Sequence, residues 1–104
     1  DLFTASTIIN MEISYDKRKH ERNIRERQLS FERVHEFDWS TAFIQEDKRR
    51  DYGERRFPAL GFIGERLFML IFTPRPSKVH VISLRKANRR EVKRYEKAQP
   101  RTDR

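Results

Sequence analysis

The segment from Arg66 to Thr73 constrains the fold more than any other part of the sequence. Every residue from Leu67 to Phe72 is apolar, so both alternating sets of side chains in an extended segment would be apolar. A strand that is apolar on both faces is usually buried at the centre of a sheet. We therefore expect this segment to be a central β-strand with a further strand on each side.

Turn signals on both sides of this segment define its neighbours. Gly64-Glu65 suits a tight hairpin because glycine supplies the positive φ that such turns require. The run Pro74–Ser77 separates the second strand from the third, since proline cannot donate to a ladder. Residues 51–91 therefore predict three strands followed by the start of a helix. Pro58 within the first of them favours an edge position or a bulge.

The flanking regions predict short strands and three helices. Residues 12–15 favour a short edge strand, and Asp16 is placed to cap a helix that ends near Arg27. Ser30 is placed to cap a second, shorter helix with apolar residues at helical spacing. Residues 41–45 favour another strand. Asn88, with a glutamate three residues later, predicts a capping box at the start of a C-terminal helix.

The chain has 104 residues, which suits one small domain with a single core. We assign this domain to residues 11–99, residues 1–10 to an extension or an expression remnant, and residues 100–104 to a disordered tail. The sequence contains no cysteine, and no apolar run approaches the roughly 20 residues that span a bilayer. These features predict a cytoplasmic protein.

The charge distribution points to the kind of partner. Lysine and arginine outnumber aspartate and glutamate by 24 to 16, giving a net charge of +8. Residues 17–27 hold six basic and two acidic residues, and residues 85–104 hold nine basic and three acidic residues. Such clusters favour nucleic acid or an acidic protein as partner, with a solvated charged surface as the alternative.

Four residues of the predicted sheet region could support chemistry. Glu54 and His80 are candidates for acid–base roles, and Arg56 and Arg85 could stabilise negative charge. RNA carries its own nucleophile, the 2′-OH, so its cleavage needs positioning, proton transfer and cations near the phosphorus. The alternative is that Glu54 and Arg56 form a structural pair on one face. The histidines at 20, 35 and 80 are too scattered for a metal site, and we expect no metal or cofactor.

Several motifs together resemble the BrnT family, the toxins of bacterial type II toxin–antitoxin modules. They are Tyr15-Asp16-x-x-Lys19-x-x-x-Asn23, Leu29–Glu32, Asp51-Tyr52-Gly53-Glu54-x-Arg56-Phe57-x-Ala59-Leu60-Gly61, Val79–Ala87 with x at Leu84, and Glu91-x-x-x-Tyr95-Glu96. The resemblance implies a RelE-like small α+β fold with two N-terminal helices, an antiparallel sheet and a C-terminal helix. It also implies a ribonuclease that inhibits translation and a DNA-binding BrnA-like antitoxin.

By position, this resemblance makes Lys19, Glu54, Arg56 and Arg85 candidate functional residues. Three departures concern the site. Glu26-Arg27-Gln28 replaces a Lys-His-Gly, Tyr15 stands where the family has tryptophan, and His80 stands where arginine is common. His80 could weaken phosphate binding or supply an acid–base group.

Together these observations predict a metal-independent endoribonuclease toxin. Either Glu54 or His80 would be the general base, and Arg56 and Arg85 would stabilise the phosphate. The residues predicted to bind RNA are Lys19, Lys86, Arg89 and Arg90. The predicted partner is a dimeric antitoxin in a hetero-oligomer. The alternatives are a non-catalytic basic module that binds nucleic acid or an acidic protein, and a degenerate toxin that only binds antitoxin.

Overall fold

The computed structural model describes residues 11–100, which form a mixed α+β fold with a five-stranded sheet and a C-terminal helix. The strands are β1 (Glu12–Tyr15), β2 (Phe43–Ile44), β3 (Phe57–Ile63), β4 (Arg66–Arg75) and β5 (Lys78–Lys86). The α-helices are α1 (Lys17–Arg27) and α2 (Arg89–Ala98), and two 3-10 helices span Phe31–Glu36 and Trp39–Thr41. The predicted extension at residues 1–10 and residues 101–104 of the predicted tail lie outside the described residues.

The strand order in the sheet is β1-β5-β4-β3-β2. This order confirms β4 as the central strand and β1 as an edge strand. The prediction of a wholly antiparallel sheet is wrong, because β1 pairs with β5 in parallel, Ser14 opposite His80. The other strand pairs are antiparallel. Tight turns fix the direction of β3, β4 and β5, whereas β1 reaches its partner through most of the chain, and such a long connection allows parallel pairing.

The two predicted turns differ in outcome. The Gly64-Glu65 hairpin is confirmed, with φ of +62° at the glycine. The break before the last strand lies later than predicted, because β4 continues through Pro74 to Arg75. β3 begins opposite Phe72, so Pro74 lies beyond the β3 ladder and is flanked by a strand on one side only.

Pro58 is tolerated although β3 is not an edge strand. An extended residue directs its N–H and C=O to the same side, and the Pro58 carbonyl accepts from the Gln45 backbone N–H at 3.2 Å. The missing donor of Pro58 therefore falls on the side of β2, which has only two residues instead of the predicted five. No antiparallel bond to β4 is lost.

The first predicted helix is confirmed and the second is confirmed only in position. Asp16 caps α1 by accepting from the Lys19 backbone N–H at 3.0 Å. The segment after Ser30 is a six-residue 3-10 helix rather than an α-helix. The buried residues Phe31 and Val34 of this helix and its C-cap Phe37 are three positions apart, which is the period of a 3-10 helix. The spacing did not distinguish the two helix types.

The main hydrophobic core lies on the sheet face that the first 3-10 helix covers, where Phe31 and Val34 are almost fully buried. Phe37 packs directly against Gly61, where an added Cβ would come within 2.5 Å of the ring. Trp39 is half-buried at the edge of this core, with its ring centroid 5.4 Å from that of Phe72.

The opposite sheet face is covered by α2 at one end. Tyr95 packs there against Leu67 and Met69, and its hydroxyl donates to the Thr41 carbonyl at 3.0 Å. The asparagine and glutamate of the predicted capping box hold the start of this helix as expected. Farther along the same face, Pro58, Ile71, Ser83 and His80 are half-buried. We call the surface formed by these four residues the open face.

Candidate active site

A β-bulge in β5 decides which side chains share the open face. Thr73 and Met69 are four positions apart on β4 and therefore point to the same face; their partners on β5 are His80 and Arg85. Without a register shift, residues 80 and 85 of one strand would face opposite ways. The shift at Ile82, between Val81 and Ser83, turns both onto one face. Their rows are four residues apart, or about 13 Å along the sheet.

His80 has a defined partner across the β1–β5 pair. Its Nδ1 lies 2.8 Å from the Ser14 hydroxyl, and the imidazole is half-buried. Burial is the main cause of a lowered pKa for His80. Arg75 and Lys19 lower this pKa further, whereas Glu54 and Asp16 raise it. The ring is therefore neutral at neutral pH and can accept a proton at Nε2.

The charged groups around His80 include two of the residues predicted from the sequence. Glu54 lies in the loop before β3 and pairs with Arg75 at 3.3 Å, with both side chains 43% exposed. Lys19 extends from the first turns of α1 and is half-buried. Glu54, Arg75 and Lys19 all act electrostatically on His80. Lys19, Glu54 and His80 are thus brought together, although they come from three separate segments of the chain.

Arg56 reaches the same end of the sheet from the other side. It precedes Phe57, which pairs with Phe72, so Arg56 lies beside Thr73 in the row that contains His80. Its guanidinium carbon lies 4.2 Å from the centroid of the Tyr52 ring. Its Nε is buried and has no hydrogen-bond partner within residues 11–100. A buried donor without a partner is costly, and such groups mark sites where a further ligand is expected.

Arg85 lies apart from this group, in the row of Met69 and Leu60. Two hydrogen bonds of 2.8 Å join its guanidinium to both carboxylate oxygens of Glu91. This contact raises the pKa of Arg85 and lowers that of Glu91. Arg85 was predicted to be a free charge-stabilising group, but here its charge is compensated. The pair borders a cleft of about 420 Å³ whose floor includes Leu60 and Ile71.

The remaining predicted RNA-binding residues lie beside Arg85. Lys86 ends β5, and Arg89 and Arg90 form the first turn of α2; all three are exposed. The predicted functional residues therefore divide into two groups at opposite ends of the sheet. Lys19, Glu54, Arg56 and His80 form one group. The other consists of Arg85, Lys86, Arg89 and Arg90.

Four contacts in these groups were not predicted. Ser14 meets His80 only because β1 and β5 are parallel neighbours, for which the sequence offers no local signal. Arg75 lies between two prolines, which favour a turn, so its position in β4 was not predicted. Glu91 was recognised as a cap but not as the partner of Arg85. Tyr52 belonged to a quoted motif, yet its contact with Arg56 depends on loop geometry.

Two features are absent from the part of the chain that the structure describes. Residues 11–100 contain no group of three or more histidine, aspartate or glutamate side chains that could hold a metal ion. Over the same residues, no helix combines the length and apolar character needed to cross a membrane.

Comparison with known families confirms the resemblance noted in the sequence. A family model described as "Ribonuclease toxin, BrnT, of type II toxin-antitoxin system" matches residues 15–91, which include every residue of the two predicted groups. Ser14 lies one position before the matched region. No curated protein matches the chain. The match covers well over half of the sequence, and the chain belongs to the BrnT family of ribonuclease toxins.

Proposed function

We propose that this protein is a metal-independent endoribonuclease with His80 as its general base. The observation that carries the proposal is the neutral, half-buried imidazole held 2.8 Å from the Ser14 hydroxyl, with two cations, Arg75 and Lys19, and two carboxylates, Glu54 and Asp16, acting on it. Such a group can take the proton of a ribose 2′-OH. Glu54 is the second candidate for this role, but it is ion-paired with Arg75.

In the proposed reaction the 2′ oxygen loses its proton to His80 Nε2 and attacks the adjacent phosphorus. The bond from phosphorus to the 5′ oxygen breaks, and that oxygen takes a proton from the imidazolium or from water. Charge develops on the phosphoryl oxygens, and Lys19, which acts electrostatically on His80, and Arg56, at the same end of the sheet, would stabilise it. Cations would here provide the charge neutralisation that metal ions provide in other nucleases. The products would carry a 2′,3′-cyclic phosphate and a 5′-OH.

RNA cleavage in the bacterial cytoplasm would inhibit translation, and this is the proposed toxic effect. Membership in a type II toxin–antitoxin family implies an antitoxin partner. We propose a BrnA-like, DNA-binding and dimeric antitoxin that covers the basic sheet face. Complementary charge would speed its encounter with a toxin of net charge +8.

Replacement of His80 by glutamine tests the assignment of the base. We expect His80→Gln to lower the rate of RNA cleavage by about 10²–10⁴-fold, the usual worth of general acid–base catalysis. The control is His35→Gln, since His35 is exposed on the first 3-10 helix, where it pairs with Glu32 at 3.5 Å. Cleavage products are separated by gel electrophoresis, and their ends are identified by mass spectrometry.

The same assay separates cleavage from simple binding. Wild-type activity should survive EDTA and should be absent on DNA substrates, because DNA lacks the 2′-OH. Activity that disappears with EDTA and returns with Mg²⁺ would overturn the proposed mechanism. If His80→Gln cleaves at the wild-type rate while Glu54→Gln does not, the base is Glu54 instead.

A further inference from the structure

The loop between β2 and β3, residues 46–56, contains four arginines of two kinds. Arg49 and Arg55 are neutralised by carboxylates of the same loop. Arg49 donates two hydrogen bonds of 2.9 Å to Asp47, and Arg55 donates two, of 3.2 and 3.0 Å, to Glu46. In both side chains the charge is compensated by a carboxylate of the loop.

Arg50 and Arg56 have a different environment. Both guanidinium groups lie over the ring of Tyr52, at 5.4 and 4.2 Å from its centroid. Neither has a carboxylate partner within residues 11–100. A ring contact leaves the charge of each guanidinium uncompensated and limits its rotation.

The other two carboxylates of this loop are engaged elsewhere. Asp51 accepts from the Gly53 backbone N–H at 2.9 Å, and Glu54 pairs with Arg75. Carboxylates of the loop therefore compensate the charges of Arg49 and Arg55. The charges of Arg50 and Arg56, which lie over the ring of Tyr52, are not compensated in this way. This selective pairing distinguishes Arg50 and Arg56 from a uniformly solvated charged surface.

Tyr52 is itself held in place. Its hydroxyl donates to Asp47 at 3.0 Å, and the ring is half-buried. It lines an open concavity of about 510 Å³ together with Lys48, Arg50 and Arg55 and with the four carboxylates of the loop, Glu46, Asp47, Asp51 and Glu54. The buried Nε of Arg56, which lacks a partner within residues 11–100, is a further unsatisfied donor at this ring. A guanidinium stacked by its face keeps the N–H donors at its edge free, and these donors match the oxygens of a phosphate.

We propose that Arg50, Tyr52 and Arg56 form a subsite for the phosphate backbone of single-stranded RNA, next to the cleavage site. This inference rests on the proposed ribonuclease function, because it takes RNA as the ligand. Arg56 lies in the same cross-strand row as His80 and would connect the two sites. A strand bound at Tyr52 would thus be led along the open face towards the imidazole.

The salt dependence of RNA binding tests the subsite. The probe is a single-stranded oligoribonucleotide that is fully 2′-O-methylated, which keeps the phosphates but cannot be cleaved through a 2′-OH. We expect Arg50→Gln and Arg56→Gln each to reduce the slope of log affinity against log salt by about 0.7, the value for one phosphate contact on a single strand. That corresponds to about a 2.6-fold smaller loss of affinity over a fourfold increase in salt. Fluorescence anisotropy measures both quantities.

Arg55→Gln is the matched control. Arg55 is the neighbour of Arg56, carries the same charge and also lies over an aromatic ring, that of Phe57 at 5.0 Å, but it is paired with Glu46. We expect this variant to keep the wild-type salt slope. Tyr52→Leu should lower the affinity without removing a charge, because both guanidinium groups lose the ring that limits their rotation and must be ordered on binding. Tyr52→Phe should bind like the wild type.

The outcomes distinguish the subsite from the function. If the wild type cleaves RNA but the Arg50 and Arg56 variants keep its salt slope, the subsite is wrong and the ribonuclease stands. A wild type that neither binds the probe nor cleaves RNA overturns both. Loss of antitoxin binding with RNA binding unchanged would assign the loop to a protein partner and also overturn the subsite. Thermal unfolding checks each variant, and Arg50→Gln, at an exposed position, keeps the test decisive if a Tyr52 variant unfolds.

Discussion

The charges around His80 oppose one another, and this balance sets when the imidazole can accept a proton. Burial lowers the pKa of His80 below its ordinary value of 6.5. Arg75 acts in the same direction, while Glu54 acts against both. A base with a low pKa remains neutral in mildly acidic solution, where an ordinary histidine is half protonated. The cleavage rate should therefore fall only below the lowered pKa.

We expect two substitutions in the Arg75–Glu54 pair to move the pKa of His80 in opposite directions. Arg75→Gln removes a cation that disfavours the imidazolium, so the pKa rises and the acid limb of the rate profile moves to higher pH. Glu54→Gln removes an anion that favours the imidazolium, so the pKa of His80 falls and the acid limb of the rate profile moves to lower pH. NMR titration of the His80 ring and the pH dependence of cleavage measure these shifts.

Lys19 and Asp16 also carry charges that act on His80. These charges are the same in both variants and form a constant background. Shifts of the same sign in the two variants would contradict the electrostatic account. A shift in the NMR titration without a matching shift in the rate profile would remove His80 from the rate-limiting proton transfer.

For single residues, the sequence predicted which residues belong to the site better than it predicted the contacts that they make. Glu54, His80 and Lys19 were selected by charge and motif position, and they do lie together. Arg85 was selected on the same grounds, yet it is about four residues farther along the sheet and paired with Glu91. Contacts between side chains depend on register, and one extra residue at Ile82 changes which face a side chain occupies.

Glu91 joins two elements of the fold. One of its oxygens accepts from the Asn88 backbone N–H at 3.0 Å, so it caps α2, and both oxygens accept from Arg85 on β5. The Glu91 side chain is 10% exposed and that of Arg85 is 31% exposed. Because the contact is largely shielded from water, it should contribute more than a surface ion pair does.

We expect Glu91→Gln to lower the free energy of unfolding by about 1–2 kcal/mol at neutral pH, because the amide still caps the helix but loses the charged contact. The Arg85 contact is the main cause of the lowered pKa of Glu91. Its stabilisation is therefore complete above the ordinary pKa of 4.5 and is lost as the pH falls through the lower folded value. Urea unfolding at several pH values should show a weaker loss of stability on the acid side in the variant.

Glu96→Gln is the control, since Glu96 is exposed on the same helix. Equal stability of the Glu96 and Glu91 variants at neutral pH would contradict the structural role of the ion pair. Other carboxylates with lowered pKa, such as Asp38, also add to the acid-side slope. Only the difference between the variants isolates Glu91.

Among the elements, those with local signals were predicted and those with distant partners were not. The capping box located α2, and the glycine hairpin located the β3–β4 turn. The direction of β1 depends on a partner that begins at Lys78, far along the chain. The 3-10 geometry of Phe31–Glu36 agrees with the three-residue spacing of its apolar residues, but an α-helix allows the same spacing, so the sequence did not decide between the two.

For the whole molecule, the net charge of +8 governs its encounters. The basic groups lie at both ends of the sheet, so a partner of opposite charge is attracted to the face where cleavage is proposed. Inhibition by an antitoxin would then follow directly from occupation of this face.

We expect the association rate of the antitoxin to fall steeply as ionic strength rises, while its dissociation rate changes little, because exposed charges mainly affect the encounter. To measure this, the reading frame next to the gene of this protein is co-expressed with it, and the complex is purified and separated for stopped-flow measurements. A toxin that elutes alone after co-expression and still arrests growth would contradict the proposed partner.

The parallel pairing of β1 with β5 also has a consequence during protein synthesis. Ser14 and His80 are 66 positions apart, so β1 leaves the ribosome long before its partner strand exists. At roughly 5–20 residues per second, the interval is about 3–13 s. Such long-range pairings form late in folding. On the proposed mechanism, every nascent chain lacks its general base until β5 has been translated, and a messenger cut before the His80 codon yields only fragments without that base.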